Sequence, residues 1–380
     1  MTEWIDQKLS EFMDFNPYTP LTKGSIAKKV SMECLTPFNR KIQGYEETVF
    51  FGGSKFKNGD TLLARITPCL ENGKTAYVDF LNDEEVAFGS TEFIVLRSKE
   101  GISDSKFIYY FSISDDFRDT AIQLMSGTTG RQRVETEALK QKVFTLPPLP
   151  EQKAIAEVLS SLDDKIDLLT RQNKTLEDLA QAYFRKWFIE DASSEWEVGK
   201  LGDEFNITMG QSPKGETYND LKIGLPFFQG KAEFGFRFPL EKQYCSEPIK
   251  IADKFDTLLS VRAPVGALNM ALYKCCIGRG LAIPIHKKGY KHYTFYKMKS
   301  LQELFNTFDD DGTVFGSISR EKFLSIDNVI PPEKLVCYFD NFAKYFDLKI
   351  YENTVQIRTL SKLRDTLLPK LISGEVRVNI

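Results

Sequence analysis

Two short segments come close to a known catalytic or cofactor-binding motif. Gly73-Lys74-Thr75 has the ending of a P-loop, in which backbone amides and a lysine hold nucleotide phosphates. The first glycine of that motif belongs at position 68, which is Pro68, so the match fails. Asn16-Pro17-Tyr18 lacks the second proline of the N-P-P-Y motif of amino-methyltransferases, and we interpret it as a plain turn.

Residue types that bind metals are scarce. The chain has two histidines and six cysteines, without a C-x-x-C pair, so no zinc site is expected. No G-x-S-x-G or H-E-x-x-H motif occurs either. The sequence therefore predicts a protein without catalytic residues, without a metal site and without a directly bound cofactor.

Composition is that of an ordinary soluble protein. The 380 residues are 42% hydrophobic and 27% charged, which is enough for two globular domains. We expect no membrane contact and a cytoplasmic location, because no apolar run of about 18 residues is present and the first residues lack an apolar signal region. The net charge is −3, whereas a domain that binds nucleic acid unaided is usually basic.

The chain contains an internal duplication. Residues 3–12, EWIDQKLSEF, are repeated with one insertion as residues 195–205, EWEVGKLGDEF. Three further pairs follow in the same order: Asp60-Thr61-Leu62-Leu63 with Asp256-Thr257-Leu258-Leu259, Gly127-Thr128 with Gly312-Thr313, and Pro147-Pro148 with Pro331-Pro332. Each copy has short strand-like runs and turns, then a di-proline, then a long segment with helical periodicity. The predicted domains are residues 1–150, a helix at 151–190, residues 191–332, and a helix at 333–380.

Both long segments have the 3.5-residue apolar period of a coiled coil. The predicted seam of the first helix is Ile155, Leu159, Leu162, Ile166, Leu169, Asn173 and Leu176. The seam of the second lies 184 positions later and comprises Phe339, Phe346, Ile350, Asn353, Ile357 and Leu360. Each apolar stripe needs a partner, and the simplest solution is that the two helices pack on each other. Two alternatives are that each helix docks on its own domain, or that a homodimeric coiled coil forms.

Several tracts resemble the specificity subunits of type I restriction–modification systems. Residues 145–156, TLPPLPEQKAIA, resemble the central region of that family, together with SGTTGRQ at 126–132 and LDDKI at 162–166. Residues 363–375, LRDTLLPKLISGE, resemble its C-terminal helix. The second copy departs from the pattern, since residues 331–334 are PPEK and residues 312–317 are GTVFGS.

The resemblance implies an α+β fold, with two mixed target recognition domains and two long helices packed as an intramolecular antiparallel coiled coil. Each recognition domain would read one half of a bipartite target in double-stranded DNA, and the helices would set the unread spacer. The subunit would have no catalytic residues. Two methyltransferase subunits using S-adenosylmethionine and motor–nuclease subunits using ATP and magnesium would be its partners.

Candidate DNA-binding residues follow from the chemistry of base and phosphate recognition. Arg pairs with guanine and Asn or Gln with adenine, whereas Lys, Arg, Ser and Thr contact phosphates. The candidates in the first domain are Lys23, Lys28, Arg40, Lys41, Lys55, Arg65, Arg131 and Arg133. Those in the second domain are Gln211, Ser212, Lys214, Gln229, Lys231, Arg237, Arg262, Arg279 and Ser317.

The outward faces of the helices, including Asp163 and Asp164, are candidate surfaces for methyltransferase docking. Two other functions stay open from the sequence. One is a coiled-coil scaffold without a role on DNA, and the other is a self-contained DNA-modifying enzyme.

Overall fold

The structure, a computed structural model, describes residues 3–128, 130–308 and 316–378. The chain forms two compact units. Unit 1 comprises Met1–Asp167 and Arg358–Ile380, and unit 2 comprises Leu168–Ile357. Both units contain one β-rich domain and a segment of each long helix. The division therefore falls within the helices, whereas the sequence assigned the helices to segments of their own.

The domain of unit 1 contains two four-stranded sheets. Its elements in chain order are β1 (Ile5–Lys8), α1 (Leu9–Phe12), β2 (Met13–Phe15), β3 (Ile26–Val30), β4 (Glu46–Val49), β5 (Ser54–Phe56), β6 (Thr61–Ala64), β7 (Thr75–Tyr77), β8 (Ala87–Gly89), β9 (Phe93–Ser98), α2 (Ser105–Ser112), α3 (Asp115–Gln123), β10 (Met125–Ser126), β11 (Arg133–Val134), α4 (Thr136–Lys140) and β12 (Val143–Leu146). One sheet has the antiparallel order β2-β9-β6-β7, and the other has the order β4-β3-β8-β5 with β3 and β8 parallel. β1 pairs with β12, which closes the domain just before the first long helix.

The first long helix, α5 (Leu149–Arg185), ends in a π-helical turn at Lys186–Glu190. The elements that follow are β13 (Glu197–Lys200), α6 (Leu201–Glu204), β14 (Phe205–Met209), β15 (Tyr218–Asn219), β16 (Leu225–Phe228), β17 (Tyr244–Cys245), β18 (Ile251–Ala252), β19 (Thr257–Ser260), β20 (Leu268–Met270), β21 (Cys275–Ile277), β22 (Leu281–His286), α7 (Lys291–Ser300), α8 (Gln302–Thr307), α9 (Arg320–Leu324), β23 (Asp327–Ile330) and the second long helix α10 (Glu333–Ile372).

The two domains share their strand topology, which confirms the duplication. The order β14-β22-β19-β20 in unit 2 repeats β2-β9-β6-β7 in unit 1, and β13 pairs with β23 as β1 pairs with β12. The repeated D-T-L-L motif starts β6 and β19, whose residues are all buried, as expected for strands flanked on both sides. The repeated Gly312-Thr313 lies outside the described residues.

Within each unit the long helices run antiparallel. In unit 1, Glu151 of α5 pairs with Arg377 just beyond α10, and Asp163 Oδ1 lies 2.7 Å from Arg364 Nη1. In unit 2, the amide of Asn353 donates to Asn173 Oδ1 at 2.9 Å. The predicted pairing is confirmed, and the two seam asparagines bond to each other, as polar residues that fix register do.

The seam also forms part of each domain's core. Ile155 and Leu159 are fully buried in the core of unit 1 with Leu371 of α10, and Phe339 and Ile350 are fully buried in the core of unit 2. The helices thus contact each other and a domain, which combines the predicted pairing with the alternative of separate docking. Of the remaining seam positions, Leu169 is buried and the others are half-buried: Leu162, Ile166, Leu176, Phe346, Ile357 and Leu360.

Two observations concern the ends and surroundings of these helices. α10 stops at Ile372, two residues before Gly374, whose φ of +76° suits the glycine that ends a helix. Within the ranges that the structure describes, no helix is both long and apolar enough to cross a membrane.

Candidate nucleic-acid interface

In unit 1, the segment after β6 is held between two other segments. The Arg65 amide donates to the Glu92 carbonyl at 2.9 Å, and the Val134 amide donates to the Arg65 carbonyl at 2.9 Å. The Thr67 amide donates to the Gln132 carbonyl at 3.0 Å. We call this arrangement edge 1 and define it as residues 65–67, 92 and 132–134.

In unit 2, the segment after β19 is held in the same way. The Val261 amide donates to the Gly280 carbonyl at 2.9 Å, and the Ile318 amide donates to the Val261 carbonyl at 3.1 Å. The Ala263 amide donates to the Gly316 carbonyl at 3.1 Å. We call this arrangement edge 2 and define it as residues 261–263, 280 and 316–318.

The main-chain bonds of the two edges match one to one. A bridge between Ile66 and Arg133 in edge 1 corresponds to a bridge between Arg262 and Ser317 in edge 2. The candidates Arg133 and Ser317 therefore occupy equivalent positions, whereas Arg262 corresponds to Ile66. An open cavity of about 420 Å³ lies at edge 2 and is lined by Arg262, Ala263, Gly316 and Ser317.

An arginine–glutamate pair dominates edge 1. Arg133 Nε donates to both carboxylate oxygens of Glu92, at 3.0 and 2.9 Å, and Arg133 Nη2 donates to Oε1 at 2.6 Å. This hydrogen bonding holds the pKa of Glu92 below its usual range and raises the pKa of Arg133. Nearby, Arg131 is exposed, and Arg65 Nε is buried without a hydrogen-bond partner among the described residues.

Four predicted residues of unit 2 meet beside edge 2. Ser212 Oγ donates to Gln229 Oε1 at 3.0 Å and accepts from the Arg279 amide at 3.3 Å. The Gln211 side chain is exposed on the same loop. The Gly280 amide donates to the Gln229 carbonyl at 3.0 Å, which joins this group to edge 2. A Cβ at position 280 would lie 2.5 Å from the Gln229 carbonyl oxygen, so only glycine permits this close approach.

The predicted lysines are dispersed. Lys28 Nζ lies 2.9 Å from Glu85, and Lys41 Nζ lies 2.5 Å from Asp79, so both are paired outside edge 1. Lys28 is nearly buried, which restricts its reach toward a ligand. The other lysine candidates are fully or partly exposed: Lys23, Lys55, Lys214 and Lys231.

Comparison with known proteins identifies the family. The model of the type I restriction modification DNA specificity domain matches residues 1–178. The chain is 30% identical to the MjaX type I restriction enzyme specificity subunit of Methanocaldococcus jannaschii, over 84% of this chain and 79% of that protein. The chain belongs to the type I restriction enzyme specificity subunits. This membership does not favour the scaffold or the self-contained enzyme.

Two further relatives span nearly the whole chain. The HindI type I restriction enzyme specificity subunit of Haemophilus influenzae is 20% identical over 99% of this chain and 100% of its own length. The crystal structure of the type I restriction–modification S subunit from M. genitalium matches with a TM-score of 0.62 and 21% identity, over 97% of this chain and 96% of that one. The latter likeness confirms the fold.

In this specificity subunit, the structure corrects the prediction that Arg40 contacts DNA. The Arg40 side chain is only 4% exposed, forms an ion pair with Asp164 of α5, and donates to the Tyr110 hydroxyl at 3.4 Å. Its carbonyl accepts from the Tyr77 amide at 2.9 Å. Arg40 therefore joins the recognition domain of unit 1 to α5.

Arg237 is corrected for the same reason. Its guanidinium is completely buried, 2.5 Å from Asp347 of α10 and 3.3 Å from Glu177 of α5. It donates to the Tyr296 hydroxyl at 3.2 Å, and its carbonyl accepts from the Met270 amide at 2.8 Å. Arg40 and Arg237 are thus equivalent residues that fix each domain to the long helices.

Asp163 belongs to this buried network, although the sequence placed it on an outward helix face as a candidate for methyltransferase docking. It accepts from the Tyr110 hydroxyl at 2.7 Å and from Arg364 at 2.7 Å. Asp347, 184 positions later, accepts from the Tyr296 hydroxyl at 3.2 Å. The shared 184-residue offset of two aspartates beside the seam could have indicated a common buried role.

Glu92 is the residue of edge 1 that sequence reasoning missed. A search for donors to phosphates and bases passes over carboxylates, and Glu92 comes directly before an apolar strand without a surrounding motif. The duplication could have identified it, because Glu92 comes directly before β9 and Gly280 comes directly before the equivalent strand β22. Within the described part of the chain, no His, Cys, Asp and Glu side chains are grouped so as to hold a metal ion.

Proposed function

We propose that this specificity subunit recognises a bipartite target in double-stranded DNA, one half through edge 1 and the other through edge 2. The observation that carries the proposal is that the two edges have the same main-chain frame but different side chains. An equivalent frame suits equivalent docking on a duplex, whereas different donors select different bases. The two half-sites are therefore expected to differ in sequence.

The long helices are the proposed spacer and docking surface. α5 and α10 each contribute residues to both units, which supports a role in setting the number of unread base pairs. On α10, the Tyr338 and Tyr345 side chains are 65% and 75% exposed, and the Tyr338 ring lies 5.5 Å from that of Trp187. Exposed aromatic groups of this kind are typical of protein interfaces, which supports docking of one of the two methyltransferase subunits on this part of α10.

Catalysis is proposed to reside on partner subunits. The methyltransferase subunits would use S-adenosylmethionine, and motor–nuclease subunits would use ATP and magnesium. The absence of a complete catalytic motif in the 380-residue sequence supports this division. Partner subunits would also contribute phosphate contacts, which accounts for a DNA-reading chain with a net charge of −3.

Selection from random duplexes tests the proposal. The full chain, alone at low salt and co-expressed with a methyltransferase subunit, is incubated with a random-sequence library, and the retained duplexes are sequenced. We expect two short specified blocks separated by an unspecified stretch of fixed length. Retention without any sequence preference, or no retention under either condition, would overturn the proposal.

The spacer role is tested by inserting one heptad after Asp167 and one after Ile357. Seven helical residues add about 10 Å, so we expect the unread stretch to lengthen by about 3 base pairs with both half-sites unchanged. An insertion after Asp167 alone is the control, and it should disrupt the helix pair. An unchanged spacer in the doubly extended chain would contradict the role of the helices.

A further inference from the structure

The geometry of Arg133 singles it out among the arginines of edge 1. Its side chain is 47% exposed, yet three hydrogen bonds to Glu92 fix its guanidinium. Those bonds use Nε and Nη2, while Nη1 has no partner among the described residues. One side of the guanidinium fork is therefore occupied by the carboxylate, and its end is left open to solvent.

A fixed, half-exposed fork is suited to a planar ligand that offers two acceptors. In the major groove only guanine presents two acceptors on one base, O6 and N7, and arginine binds them in bidentate fashion. A fixed side chain also loses less rotamer freedom on binding than a mobile one does. The arrangement of Arg133 thus matches base recognition.

Glu92 makes a phosphate a poor ligand at the same position. A phosphate that contacted Arg133 would lie within a few ångströms of the Glu92 carboxylate, and the two negative charges would repel each other. A base edge has no net charge, so the repulsion that it meets is much weaker. The carboxylate therefore selects against the backbone contact that a free arginine would make.

We propose that Arg133, held in place by Glu92, reads a guanine in the half-site bound by edge 1; this inference rests on the proposed function. Arg133 is the specificity-determining residue, and Glu92 is its positioning residue. Edge 2 cannot use this device, because Ser317 and Gly280 occupy the equivalent positions.

Duplex selection with Arg133→Ala, Arg133→Lys and Glu92→Gln tests the inference. We expect Arg133→Ala to lower the preference for one guanine by roughly 5- to 150-fold, with every other specified position unchanged. Arg133→Lys should not restore it, since lysine lacks the planar fork. Glu92→Gln should weaken the preference for that guanine while strengthening sequence-independent binding. Lys142→Ala, at an exposed basic residue of unit 1 outside edge 1, is the control and should keep the preference.

The outcomes separate the inference from the proposed function. If the wild-type chain selects no bipartite sequence, the proposed function fails. If the wild type selects one and Arg133→Ala selects the same one with equal discrimination, the inference fails alone. Uniform weakening across all duplexes would identify Arg133 as a phosphate contact and would likewise overturn it. Thermal unfolding of each variant distinguishes these results from a loss of folded protein.

Discussion

Edge 1 and edge 2 have equivalent main-chain hydrogen bonds but present different side chains. In edge 1 an arginine is fixed by a carboxylate, whereas edge 2 has an exposed arginine, Arg262, beside a serine and an open cavity of about 420 Å³. The duplication has kept the hydrogen bonds that hold the three segments together. It has changed the groups that these segments present, and under the proposed function such a division would let one fold serve two different half-sites.

The close approach at Gly280 explains why edge 2 has no carboxylate. The Gln229 carbonyl oxygen lies only 2.5 Å from where a Cβ at position 280 would be, so a side chain there would clash with the main chain. Edge 2 instead gathers its polar groups from the loop of Ser212 and the loop of Gln229. The two edges thus differ in which segments supply their polar side chains as well as in residue type.

The largest effect is expected when the anchor of one edge's domain is broken. Asp347→Asn removes the charge that balances the fully buried Arg237, and loss of one partner of such a pair costs about 3–5 kcal/mol. Urea unfolding measures this loss, and sequence preference should weaken in one half-site. Asp253→Asn, at a mostly exposed position, is the control. Equal stability of the two variants would contradict the anchoring role.

A smaller effect is expected from filling the close approach in edge 2. Gly280→Ala places a methyl group against the Gln229 carbonyl, and such overpacking costs about 1–3 kcal/mol. Selection from random duplexes should show a loss of preference at several positions of one half-site. Gly215→Ala, where an added Cβ meets nothing within 4 Å, should behave as wild type. A change in both half-sites would contradict the assignment of edge 2 to one half-site.

A narrower effect is expected from Arg262→Ala. The side chain is exposed, so folding should be unaffected, while discrimination at one base position falls by about 1–3 kcal/mol. Competition binding with single-base variants of the selected duplex measures the change. Arg320→Ala, also exposed, is the control. If Arg262→Ala weakens all duplexes equally, Arg262 contacts a phosphate.

The smallest effect concerns the pH dependence of stability. It is expected for edge 1 alone, because edge 1 contains a carboxylate and edge 2 does not. The pKa of Glu92 lies below its ordinary value of 4.5, so its contribution to stability is present above that value and is lost as the pH falls through the lowered pKa. The difference in unfolding free energy between wild type and Glu92→Gln should therefore shrink at acid pH. A constant difference from pH 7 to about pH 3 would mean that the pair does not stabilise the fold.

Periodicity and repetition predicted much of the fold. The 3.5-residue spacing identified both helices and their pairing, and the D-T-L-L repeat marked equivalent central strands. These features depend on local patterns that one sequence displays directly. The strand order did not follow, because it depends on which distant segments pair.

Whether an individual charged residue is buried or exposed was harder to predict. Arg40 and Arg237 have the residue type of DNA contacts, and only the fold shows that each lies against a long helix far away in sequence. Arg133 and Arg262 are of the same type but remain exposed. Whether an arginine is buried depends on which distant segments pack around it, so residue type alone cannot separate the two pairs.

The most direct test is a base-preference map of Arg133→Ala, Arg262→Ala and the double variant, obtained by duplex selection with the full chain. We predict that each single substitution alters one half-site only, that the two half-sites are different, and that the double variant shows the sum of both changes within about 0.5 kcal/mol. A single substitution that alters both half-sites, or two substitutions that alter the same one, would contradict the assignment of one half-site to each edge.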